Sequence, residues 1–207
     1  MVCYHGGLFG PGRTAPAGDR LRADVRPPVR WRAGLLAAAL GALASPEGAG
    51  SANSCTHPPR PPALLQARVV RVVDGDTLRA RLRDGQQRVR LVGVDAPETL
   101  SGPHQERQAR QWGLSPEELQ RWGEVASAFA RRHLSGRWVG LELDIEERDE
   151  FGRLLAYVWL GRLVFNLELV REGYAWAHPV PPNLRYADRL VACQWEAQRL
   201  RRGLWGR

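Results

Sequence analysis

Between residues 67 and 94 apolar and polar side chains alternate in three separate runs: Ala67–Val73 (ARVVRVV), Thr77–Leu82 (TLRARL) and Arg88–Val94 (RVRLVGV). A period of two sends successive side chains to opposite faces, so each run reads as a strand with one face in a core and one in water. Together they make three strands of a twisted antiparallel sheet. Asp84-Gly85-Gln86 stands between the second and third runs as a hairpin signal.

The periodicity then changes. From Glu117 to Leu134 the apolar residues Leu119, Trp122, Val125, Ala126, Phe129, Ala130 and Leu134 recur at helical spacing, with Ser115-Pro116 as N-cap and first-turn residue. Trp138–Ile145 and Leu154–Leu160 read as two further strands. Asn166–Glu172 reads as a short helix stopped by Gly173, and Leu184 to Arg202 as a closing helix. Five short strands with a helix between the third and fourth is the order of an OB-type barrel, which predicts an α+β fold with about three α-helices.

At 207 residues with 43% hydrophobic content, the chain supplies one ordinary domain and extra sequence. Residues 1–62 differ in texture from 63–207, being rich in Gly, Pro, Ala and Arg. They contain the apolar stretch Ala33–Ala44 behind Arg30 and Arg32, and they end in the Pro-rich joint PPRPP at 58–62. The stretch is short for a membrane span and reads as a signal-peptide core over about 29–44, with Ala42-Leu43-Ala44 as the small-x-small cleavage pattern. Nearly thirty residues precede it, and the expectation is a true start near Val29. The sequence thus predicts an exported bacterial protein, secreted or periplasmic. A membrane attachment would need lipidation at Cys55, whose upstream Ala52-Asn53-Ser54 is a poor lipobox.

The net charge is +8 and no residue is lysine; the part from 56 to 207 alone has 24 Arg against 19 acids. That balance permits a nucleic-acid partner, though arginine-only usage also follows from a GC-rich genome. Nothing implies an obligate protein partner, and a monomer is expected. Cys3, Cys55 and Cys193 have no metal-ligand spacing and receive no catalytic role. A Cys55–Cys193 disulfide after export is the less favoured reading.

Four carboxylates fall in two short segments at strand ends, Asp74-Gly75-Asp76-Thr77 and Asp95-Ala96-Pro97-Glu98. Antiparallel pairing through the hairpin sets Asp95 opposite Asp76 if the turn centres on Gly85-Gln86. It sets Asp95 opposite Asp74 if the turn centres on Asp84-Gly85. Facing aspartates at such spacing repel unless a proton or a cation lies between them. Hard oxygen donors without nearby Cys or His favour calcium or magnesium, with Ala96 offering a backbone carbonyl. Pro97 aims Glu98 back over the site as a carboxylate that orients or deprotonates water. Arg90 and Arg153 are the phosphate-directed cations, since a planar guanidinium fork suits phosphoryl oxygens.

These residues carry a family likeness. The segments DGDT (74–77), RLVGVDAPET (90–99), DEFGRLLAYV (149–158), Val164-Phe165-Asn166, Leu169–Ala175 and Gly203-Leu204-Trp205 resemble staphylococcal nuclease in order and spacing, over about 64–205. The resemblance implies calcium held by Asp76, Asp95 and the Ala96 carbonyl, with Asp74 as an outer-sphere acid. It implies Glu98 as the water-orienting glutamate and Arg90 and Arg153 as phosphate-binding arginines. It also implies endonuclease and exonuclease action on DNA and RNA that leaves 3′-phosphate ends.

The departures concern substrate handling. Phe151 stands where the family usually has Tyr, the 100–116 segment is longer, and the 176–183 loop offers Trp176 and His178 instead of tyrosines. Trp112 and Trp176, in segments read as loops, are candidates for base stacking, whereas Trp122, Trp159, Trp195 and Trp205 read as core. His104, His133 and His178 are given no catalytic role. The competing function is a catalytically weak OB-type nucleic-acid-binding module. Such a module would be expected to have lost an acid or an arginine, and this chain has kept them all. A metal-sequestering protein would not need both arginines beside the carboxylates.

Overall fold

In the computed structural model, which describes residues 54–206, the alternating runs become β1 (Leu65–Val72), β2 (Thr77–Leu82) and β3 (Gly85–Leu91). Ala67, Val69, Leu78, Ala80, Val89 and Leu91 point into the core. A register shift between Val69 and Arg71 leaves Val70 and Arg71 both exposed before Val72 turns inward again, as a β-bulge does. β4 (Val94–Asp95) is a separate two-residue strand. β5 (Trp138–Glu142) pairs antiparallel with β1 and with β6 (Leu154–Leu160), while β3 pairs parallel with β6 through Val89↔Leu154 and Leu91↔Ala156. Those ladders close a five-stranded mixed barrel, which leaves no long open edge. β7 (Leu163–Val164) pairs antiparallel with β6, and β8 (Trp176–Ala177) pairs with β4.

Among the described residues four α-helices accompany the barrel where about three were expected. α2 (Pro116–Leu134) matches the predicted amphipathic helix. The Ser115 hydroxyl accepts the Glu118 N–H at 3.1 Å and the Glu118 carboxylate accepts the Ser115 N–H at 2.9 Å, a reciprocal capping box. α3 (Phe165–Arg171) and α4 (Ala187–Arg199) are the other two expected helices, and a 3₁₀ turn (Gly203–Trp205) ends the described chain. The additional helix is α1 (Pro103–Trp112), inside the segment read as a loop.

Trp112 and Trp176 are not free to meet a base by these faces: they stack on each other at 3.6 Å, and Trp176 meets Trp205 edge-on at 5.8 Å. Trp112 and Trp176, with Trp122, pack against a small second core of Ala109, Leu114, Leu119 and Leu204, so α1 is seated on α2 and on the 3₁₀ turn. Trp159 is buried as expected, whereas Trp195 is 64% exposed on α4 and is no core residue.

β5 stops at Glu142, short of the expected Ile145. The Glu142 carboxylate is buried, accepting from Trp159 Nε1 (2.7 Å) and Tyr186 Oη (2.9 Å) and pairing with Arg185 (2.7 Å), after which the chain leaves the barrel. Cys55 and Cys193 form a disulfide, the pairing the sequence reading disfavoured. Their proximity arises because α4 packs back on the segment leading into β1, which spacing alone does not reveal. No helix among the described residues is long and apolar enough to cross a membrane, and the expected signal segment lies outside the described residues.

Candidate active site

The DGDT and DAPE turns meet at one end of the barrel. Asp74 folds the first turn around itself, its Oδ1 accepting the N–H groups of Asp76 (3.1 Å) and Thr77 (2.7 Å). Asp76 is then buried: its Oδ2 accepts the Ala96 N–H at 2.6 Å and its Oδ1 the Thr77 hydroxyl at 3.2 Å. Gly75 permits the approach. A Cβ there would lie 2.7 Å from the Ala96 Cβ and 2.9 Å from the Ala126 Cβ.

The route by which Asp95 reaches this point corrects the hairpin register. The β2–β3 ladder runs from Thr77↔Arg90 to Leu82↔Gly85, so the two-residue loop is Arg83-Asp84 and neither expected pairing of Asp95 occurs. β3 ends at Leu91. Gly93, at φ 74°, turns the chain so that β4 pairs with β8 instead, and a side chain at Gly93 would run into Leu190. The carboxylates converge through this turn rather than across a ladder.

Arg90 lies between them. Its Nη1 is 2.6 Å from Asp76 Oδ1, close but without hydrogen-bond alignment, and its Nη2 is 3.3 Å from Asp95 Oδ1. Burial opposes the Arg90 charge and is outweighed by Asp76, Asp95 and Asp74, which hold the guanidinium above its ordinary value. Burial and then the Asp76 charge push Asp74 up to about 7. Asp95 is raised by the same two causes against the pull of Arg90 and Gln108. Three carboxylates thus face one guanidinium, an excess of negative charge.

That donor set fits a hard divalent cation. No group of three or more His, Cys, Asp or Glu among the described residues is placed to hold an ion by side chains alone. Two carboxylates with a backbone carbonyl and water remain an adequate set for a loosely coordinated ion such as calcium. Asp76, Asp95 and the Ala96 carbonyl would hold it, with Asp74 behind them.

Glu98 follows Pro97 and turns its Oε1 toward His104 Nδ1 of α1, at 3.0 Å. Burial raises its affinity for a proton, His104 opposes that, and the charges of Asp76 and Asp95 add to it. Arg153 precedes β6 and is oriented by Asp149. The Asp149 Oδ1 accepts the N–H of Phe151 (3.0 Å) and of Arg153 (2.9 Å), and its Oδ2 accepts Arg153 Nε at 2.5 Å. Burial alone would lift the Asp149 carboxyl; the Arg153 backbone and guanidinium outweigh it and hold the group below the usual range. The Phe151 ring lies 5.3 Å from the Arg153 guanidinium carbon. Arg90 and Arg153 line one cleft of about 230 Å³ together with Glu146, His178 and Asn183. A larger groove of about 710 Å³, between the Pro-rich segment and β5, contains none of these residues.

One site residue was not read from the sequence. Gln108, buried on α1, donates from Nε2 to Asp95 Oδ2 (3.1 Å) and to the Ala96 carbonyl (3.1 Å), and its Oε1 accepts the Glu98 N–H (2.9 Å). It ties together Asp95, Ala96 and Glu98 of the DAPE turn. The only sequence signal was Gln105, Gln108 and Ala109 at helical spacing, a pattern that carries no hydrophobic stripe.

A family profile described as "Staphylococcal nuclease homologue" matches residues 88–207, more than half of the chain. The chain belongs to the staphylococcal nuclease family. Its relatives within the family include the protein named Thermonuclease of Staphylococcus hyicus, 41% identical over 138 residues that cover 67% of this chain and 74% of that one. The Thermonuclease of Staphylococcus intermedius is 44% identical over 140 residues, 67% of this chain and 75% of that protein. Endonuclease YhcR of Bacillus subtilis is 33% identical over 154 residues, 72% of this chain but 12% of that longer protein. Membership in this family places the chain among the nucleases, and its five-stranded barrel with helices agrees with the family's OB-type fold.

Proposed function

We propose that this chain is a calcium-dependent nuclease that hydrolyses phosphodiester bonds in DNA and RNA by in-line attack of water. The observation that carries the reading is the convergence of Arg90 and Arg153 on one cleft, with Asp74, Asp76 and Asp95 gathered behind Arg90. When bound, the cation supplies neutralisation of the carboxylates and polarisation of a phosphoryl oxygen. Arg153, held through its Nε by Asp149, presents the rest of its fork to the cleft; Arg90 enters the same cleft from β3. Two guanidinium groups so placed bind a phosphate and stabilise the charge that shifts onto its oxygens during attack. Glu98, with its proton affinity raised, orients or deprotonates the incoming water once it leaves His104.

We further propose export to an oxidising compartment. The Cys55–Cys193 disulfide supports this, because such bonds persist outside the reducing cytosol.

The test is degradation of single- and double-stranded DNA and of RNA by the purified chain, with Ca2+ and with chelator. Glu98→Gln and Arg153→Gly are each expected to lower kcat by two or more orders of magnitude while the melting temperature stays in place. Wild-type binding of nucleic acid without turnover under any divalent ion would refute the enzymatic reading and leave a binding module.

A further inference from the structure

The barrel carries a row of arginines on one outer face that the cleft does not use. Arg68 and Arg71 on β1, Arg79 and Arg81 on β2 and Arg88 on β3 are all exposed, because the residues alternating with them fill the core. The ladders set them side by side: Arg68 opposite Arg81, Arg71 opposite Arg79, and Arg79 opposite Arg88. Directly opposed like charges on neighbouring strands destabilise a sheet. Among the described residues no carboxylate forms an ion pair with any of the five, whereas Arg90, Arg153, Arg171, Arg185 and Arg202 all have acidic partners. An external anion is the missing counter-charge.

Two further observations give that anion a chemistry. Trp138, at the head of β5, pairs with Arg68 from its other side and is 66% exposed. It walls a surface cleft of about 360 Å³ with Arg68, Arg81 and Arg83, and a neighbouring cleft of about 250 Å³ shares Arg68 and Arg81. An exposed indole amid guanidinium groups offers a stacking platform for an unpaired base and forks for the phosphates on either side of it. Arg88 lies two residues before Arg90 on the same side of β3, and Arg90 lines the catalytic cleft. The row is therefore continuous with the cleft.

We propose that this face, from Arg88 across Arg79 and Arg81 to Arg68 and Trp138, binds a single-stranded stretch of the same polynucleotide whose phosphodiester lies in the cleft. The path crosses three strand spacings, about 14 Å, which is room for a few nucleotides. It makes the protein a preferential binder of long, unpaired substrate. An anionic lipid surface fits less well, since the exposed aliphatic residues on and just after β1, Leu65, Val70 and Val73, stand singly among these charges. The inference rests on the nuclease reading, whose cleft it extends.

The test uses the full chain with chelator present, so that binding is read without cleavage. Probes are labelled 30-mer and 3-mer oligothymidylates, a 30-base-pair duplex and phosphatidylserine vesicles. Combined Arg68→Gln, Arg79→Gln and Arg81→Gln is expected to weaken 30-mer binding at least 30-fold. It should reduce the slope of log affinity against log salt by about 2, at roughly 0.7 for each phosphate that the variant leaves without its arginine. Trp138→Ala is expected to weaken 30-mer binding about tenfold with the salt slope unchanged. With Ca2+ restored, the triple variant's loss in kcat/KM on the 30-mer should exceed its loss on the 3-mer at least tenfold.

Equal 30-mer affinity and slope in wild type and in both folded variants would overturn the proposal. So would equal binding of duplex and single strand, or wild-type capture by vesicles without 30-mer binding. Absence of cleavage of either oligonucleotide by the wild type would defeat the nuclease reading separately, leaving the binding comparison to judge the face.

Discussion

Replacing Gln108 by Ala tests whether the inserted helix α1 serves the site or merely decorates it. The side chain is 3% exposed and makes three hydrogen bonds, one of them to the Asp95 carboxylate. A net hydrogen bond is worth about 1 kcal/mol between neutral groups and about 1.5–3 kcal/mol to a charged one. Truncation that leaves the Glu98 N–H and the Ala96 carbonyl without this partner therefore costs roughly 3 kcal/mol, a drop in melting temperature of roughly 6–12 °C for a domain of this size. That is below the ordinary stability of a domain, so the variant stays folded at 25 °C. Because the same bonds fix the turn between Asp95 and Glu98, a displacement of about 1 Å is expected to lower kcat roughly 100-fold. Steady-state cleavage of single-stranded DNA with saturating Ca2+, beside a thermal melt, reads both numbers. Gln108→Glu retains the acceptor for the Glu98 N–H but sets a carboxylate against Asp95, and should recover melting temperature less than Gln108→Asn does. A folded Gln108→Ala variant with kcat within threefold of wild type would refute the positioning role and leave only packing.

Three other outcomes are expected. Cys55→Ser opens a loop of sequence separation 138, which in the chain-entropy account costs about 3–5 kcal/mol, read as a lowered denaturant midpoint that added reductant reproduces in the wild type. Gly75→Ala forces the Asp74–Asp76 turn away from Ala96 and Ala126 and should cost about 1–3 kcal/mol by denaturant titration, with activity lost in step. The hydrogen bond from His57 at 2.8 Å holds the Glu168 carboxyl below the usual range against its burial. A depressed carboxyl pKa stabilises the fold above the unfolded value of about 4.3 and loses that contribution as pH falls through the folded value. Glu168→Gln should therefore flatten the fall in stability below about pH 4.3, and an unchanged slope would count against this pair.

The strands were legible because burying one face of a sheet writes period-two alternation directly into Ala67, Val69, Leu78, Ala80, Val89 and Leu91. α2 was legible from its apolar stripe and its Ser115 N-cap, and the capping box with Glu118 came with the structure. α1 was not, since the face it buries is carried by Gln105, Gln108 and Ala109, and amide side chains give no hydrophobic period. The hairpin register differs from the expected one for a related reason. Asp84-Gly85 looks like the centre of a turn, yet Gly85, at φ 117°, opens β3, and the loop is Arg83-Asp84. The acids that the sequence grouped do assemble, but through the bend at Gly93, a tertiary fact set by Leu190 on a distant helix. Trp112 and Trp176 illustrate the same limit: exposed-looking aromatics in separate segments found each other.

The three-indole contact among Trp112, Trp176 and Trp205 has a consequence for how this protein can be cut. Leu204 shares the small second core with Ala109, and Trp205 meets Trp176 edge-on, so the 203–205 turn is part of the footing on which the helix bearing Gln108 stands. Removing residues 203–205 would unseat the helix and slacken the hold on Asp95 and Ala96 while leaving every acid and arginine of the cleft in the polypeptide. A deletion that touches no residue of the cleft would thus disable it.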